Sequence, residues 1–78
     1  MSALVVGKSN HIGPLSEVLS QNGFGSIFFQ NSDSFGEYDL AGYGQLDMLV
    51  LIREAAEGLD VGVIFKEASK LNISMVLL

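Results

Sequence analysis

Residues 46–52, LDMLVLI, constrain this chain more than any other stretch. Their apolar side chains do not alternate with polar ones. A strand made from them is therefore apolar on both faces and has to be covered on both. ALVV at Ala3–Val6 and SIFF at Ser26–Phe29 are shorter runs of the same kind, and ISMVLL closes the chain at Ile73–Leu78. Between these runs the period changes. Ile12, Leu15, Val18 and Leu19 recur at helical spacing, and so do Val61, Ile64, Phe65, Ala68 and Leu71. Pro14 suits a first helical turn, and Asn22-Gly23 is a stop signal, so the first helix is expected over Pro14 to about Asn22. Asp60 can cap the last helix and Asn72 can end it. Gln30–Gln45, rich in Gly, Ser, Asn and Asp, is expected to be a loop with at most one short helix.

Strands alternating with helices imply an α/β fold. The expectation is a three-layer structure with a four-stranded parallel sheet in strand order 2-1-3-4, right-handed crossovers and one small domain over residues 1–78. A chain of this length buries only about 60% of the surface its unfolded form exposes. With no cysteine it has neither a disulfide nor a thiolate metal site to reinforce the core. A small core without such reinforcement is expected to rely on a partner surface, as a homo-oligomer, through a swapped element, or as part of something larger. Leu77 and Leu78 place apolar side chains on a sheet edge, which is itself an association hazard.

Charge narrows the partners. Nine acids against four bases give a net charge of −5, and Lys8, Arg53, Lys66 and Lys70 are scattered. That argues against nucleic-acid phosphates and anionic lipid as partners. No basic region precedes the first apolar run, and no run approaches the ~20 residues of a membrane span. The expected location is cytoplasmic.

In an open parallel sheet, ligands sit beyond the carboxyl ends of the strands, at the switch between strands one and three. Gly7–Gly13, Asn31–Asp33 and Arg53–Glu57 fall on that face. GKS at Gly7–Ser9 does not make a P-loop, because the motif needs a glycine where Ser2 stands and a loop where the first strand runs. His11, the only histidine, has no second histidine or any cysteine to share a metal, so no metal site is expected. Ser9 beside it has no visible orienting acid, and no catalytic residues are assigned. Glu54 and Glu57 read as a solvated turn, and His11 as a residue that helps to cap the first helix. Phe35, Tyr38 and Tyr43 either form a contact patch or pin the glycine-rich segment to the sheet. Met48 and Met75 read as core.

Two family resemblances bear on function. GKSNHIG at Gly7–Gly13 and GQLDMLV at Gly44–Val50 resemble the first nucleotide-binding loop and a later strand of the short-chain dehydrogenases/reductases. That resemblance implies contacts to NAD or a related nucleotide at Gly7, Ser9, Ile12, Gly13 and Asp33. Val6 and His11 depart from the family's threonine and middle glycine, and LIRE at Leu51–Glu54 stands where it has Asn-Asn-Ala-Gly. The family's Ser-Tyr-Lys catalytic set has no counterpart in these 78 residues.

The second resemblance covers the whole chain. ALVVGKS, LSEVLSQNGF (Leu15–Phe24), DMLVLI (Asp47–Ile52) and GLDVGVIFKEASKLNISMVLL (Gly58–Leu78) resemble a response-regulator receiver domain cut after its fourth strand. By alignment its acidic pair falls at Gly7 and Lys8, and its phosphoacceptor aspartate at Ile52. Gly, Lys and Ile offer no carboxylate shell for Mg²⁺. The resemblance therefore implies a pseudo-receiver, not switched by phosphorylation, non-catalytic, and working by presenting a surface. That surface is expected to include the last helix (Val61–Leu71), the last strand and the Phe35–Tyr43 segment, with itself or another protein as partner.

Overall fold

The computed structural model describes residues 1–78. The four apolar runs form strands β1 (Ser2–Gly7), β2 (Ser26–Asn31), β3 (Met48–Leu51) and β4 (Ser74–Leu77). All pairings are parallel and the order is β2-β1-β3-β4, as expected. Helices α1 (Ser9–Gln21), α2 (Asp39–Gly42) and α3 (Val61–Lys70) flank the sheet, with 3₁₀ turns at Ser32–Ser34 and Arg53–Ala55.

Two apolar layers form because successive strand residues face opposite sides. On one side Ala3, Val5, Val50 and Ile52 pack with Leu19 of α1 and with Phe24. On the other, Leu4, Val6, Leu49 and Leu51 pack with Ile64 and Ala68 of α3 and with Phe35, Leu40 and Leu46. Met48 packs against the first layer and Met75 against the second, which are the core positions expected of them.

Three local readings change. The first helix begins at Ser9, so Pro14 lies inside it and the expected Gly7–Gly13 loop is a strand end followed directly by helix. Ile12 and Leu15 both pack on the sheet, and that burial outweighs the preference of proline for a first turn. The Gln30–Gln45 segment is more ordered than a loop. Asp39 Oδ2 accepts from Gln30 Nε2 and from the Gly36 N–H, each at 2.9 Å, and Tyr43 Oη donates to Gln30 Oε1 at 2.6 Å. Phe65, placed on the buried stripe by spacing, is 57% exposed, because the sheet reaches only the Val61–Ile64–Ala68–Leu71 side of α3. The other end signals act as read. Asp60 Oδ1 accepts from the Val63 N–H at 3.1 Å, Gly23 takes φ +91°, and Asn72 takes φ +58°. No helix is long and apolar enough to cross a membrane.

Candidate functional site

The carboxyl ends of β1 and β3 meet at the topological switch, and the chain's own side chains fill it. Gly7 is the last residue of β1 and is buried. A Cβ placed there would lie 2.7 Å from Ile52 Cγ1 and 2.9 Å from His11 Nδ1. Only glycine lets these two side chains close over the strand end. Ile52 is held by its N–H to the Val6 carbonyl at 3.0 Å, one rung beyond β3.

His11 occupies the third position of α1. Its Nδ1 accepts from the N–H of Lys8, the residue before the helix, at 3.0 Å, and its Nε2 lies 2.9 Å from Glu54 Oε1. A nitrogen that accepts carries no proton, so neutral His11 holds its hydrogen on Nε2 and donates it to Glu54. Histidine thus performs the back-reaching half of a capping box. Lysine has no acceptor, so the other half is not made. The expected capping role of His11 is present, and Glu54 has a partner that spacing did not reveal, since the two are brought together only by the β1–β3 pairing. Glu57 stands apart as an exposed turn residue.

Lys8 reaches the other way. Its Nζ lies 2.7 Å from Asp33 Oδ1, spanning the ends of β1 and β2. Both side chains are well exposed, at 42% and 79%, so the pair contributes at most about 1 kcal/mol. The Asp33 N–H donates to Asn31 Oδ1 at 2.9 Å, which shapes the turn. Beside these groups Ser32 is buried, and its Oγ has no partner.

The residues named for nucleotide binding stand in different settings. Gly7 is covered by Ile52 and His11, and Ser9 opens α1. Ile12 packs on the sheet, Gly13 lies exposed within α1, and Asp33 is paired to Lys8. Ser9 makes no hydrogen bond to His11, and no three His, Cys, Asp or Glu side chains converge on one point. An open depression of about 610 Å³ lies at the ends of β3 and β4, lined by His11, Ile52, Arg53, Glu54, Leu77 and Leu78.

Of the aromatic residues in the glycine-rich segment, Phe35 is buried and Tyr43 meets Phe28 in a tilted contact with ring centres 5.4 Å apart. These two pin the segment to the sheet, and Tyr38 alone stands free at 81% exposure. Burial pushes the Tyr43 phenol above its ordinary pKa, and the neighbouring Asp39 carboxylate adds to the shift.

Compared with protein-family models, curated proteins and solved structures, the chain matches none.

Proposed function

We propose that this chain is a non-catalytic, receiver-like interaction module of the cytoplasm that self-associates and is not switched by phosphorylation. One observation carries the reading: four of the exposed large apolar side chains lie on α3 and at the end of β4, the others being Met1, Val18, Phe28 and Tyr38. Val63 and Phe65 on α3 are 39% and 57% exposed, and Leu77 and Leu78 are 38% and 54% exposed. On the ligand face the β1–β3 switch point is closed by Ile52 and His11, with Glu54 on His11, and the open depression beside it is lined by Leu77 and Leu78 themselves. Contiguous exposed apolar surface marks association sites, and the closed switch point leaves this surface as the working part.

Sedimentation equilibrium over a range of concentrations, with and without NAD(H), tests this. The expected result is a molar mass that rises with concentration and is indifferent to the nucleotide. A monomer at every concentration would overturn it. Amide shifts at Gly7 and Gly13 on adding NAD(H) would replace it with the nucleotide-binding reading, in which Gly7, Ser9, Ile12, Gly13 and Asp33 make the contacts.

A further inference from the structure

We propose that two copies of this chain join through β4, in antiparallel register about a two-fold axis at Val76, to make one continuous eight-stranded sheet. This rests on the self-association reading and specifies its geometry. The backbone of β4 decides which groups are free. The Ser74 N–H donates to Asp47 O at 3.2 Å and the Leu78 N–H to Leu51 O at 2.9 Å, while Leu78 O accepts from the Arg53 N–H. In a parallel ladder the direction of these groups alternates along the strand. Ser74, Val76 and Leu78 therefore turn their amides and carbonyls to β3, and Met75 and Leu77 turn theirs outward, where the sheet has no neighbour.

An antiparallel copy satisfies all four outward groups. Met75 of each copy faces Leu77 of the other in a hydrogen-bonded pair, and Val76 faces its own counterpart. The side chains match too. Met75 and Leu77 lie on the α3 face, opposite Leu49 and Leu51. Val76 lies on the α1 face, opposite Val50. Met75, Val76 and Leu77 thus each meet an apolar side chain on their own face of the joined sheet, while Leu78 falls opposite Ser74. The strand also lacks the features that keep edges apart. It has no proline, no charge and no bulge between Ser74 and Leu77. The opposite edge, β2, ends in the polar Gln30 and Asn31, and the Gln30 side chain is held by Asp39 and Tyr43.

Two variants test the geometry. Met75→Pro removes an outward N–H that β3 does not use, so the β3–β4 ladder is kept, and symmetry removes the bond twice. Its dissociation constant should rise about tenfold or more, with the same circular dichroism spectrum as wild type. Val76→Cys introduces the only cysteine of the chain. The register places the two sulfurs across a close, non-hydrogen-bonded pair whose Cα separation suits a disulfide. Mild oxidation should yield a covalent dimer, and Phe65→Cys should not. A wild-type dimer that persists in Met75→Pro and fails to cross-link through Val76→Cys would overturn the β4 pairing while leaving self-association standing. A wild-type chain that is monomeric throughout would overturn both.

Discussion

Gly7 and Gly13 bracket one sequence motif, yet they sit under opposite physical demands. A methyl group at Gly7 meets Ile52 and His11 inside 3 Å, whereas one at Gly13 meets nothing within 4 Å. Gly7→Ala should destabilise the chain by about 1–3 kcal/mol through overpacking and loss of the His11 cap. Gly13→Ala, in an exposed helical position, should stabilise it by about 0.5–1 kcal/mol. Urea midpoints read both. Tyr43 sets a pH limit. Its folded pKa is raised, so the unfolded phenol ionises first as pH climbs. The stabilisation is complete below about pH 10 and is lost as pH rises through the raised value. Tyr43→Phe should flatten that alkaline fall while losing the Gln30 bond, and a phenolate absorbance titration of a Tyr38→Phe chain locates the midpoint. At this scale the sequence was only partly legible. His11 beside a helix start points to a cap, but its pairing with Glu54 depends on two strand ends meeting, and no local spacing encodes that.

The first helix shows where local rules yield to packing. Proline favours the first helical position because its missing N–H is not needed there. In α1 it stands five residues after Ser9 and withholds the donor that would reach the Asn10 carbonyl. The helix forms upstream of it regardless, since Ile12 is worth more against the sheet than in a loop. Pro14→Ala should therefore stabilise the chain by about 1 kcal/mol or more, seen as a higher denaturation midpoint with increased helical ellipticity. The last helix was read more accurately because Asp60, the apolar stripe and Asn72 all agree. Only Phe65 escaped. Spacing gives an angular arc, and the width of the surface that covers the arc is a property of the sheet.

Across the whole molecule, strand order was the most legible feature, because four unbroken apolar runs separated by amphipathic or polar segments leave few ways to bury every face. What meets the β4 edge was not legible, since SMVL of β4 and MLVL of the inner strand β3 have nearly the same composition. The proposed self-association would bring together two copies that each carry a charge of −5. At about 0.1 M salt their repulsion is screened beyond ~10 Å. Added sodium chloride should therefore tighten association, as sedimentation will show, whereas assembly held by ion pairs would loosen.

The register of the sheet also governs how the chain must fold. Every rung is non-local: Ser2 pairs with Ser26, Ala3 with Met48, and Met48 with Ser74. No hairpin exists to nucleate locally, so each pairing waits on closure of a long segment, and folding should be slow for so short a chain. On the ribosome β1 emerges first but gains its second neighbour only after β3 has followed. Until then Ala3–Val6 stays a half-paired apolar strand, which makes the interval between synthesis of β1 and β3 the time of greatest exposure to misassembly.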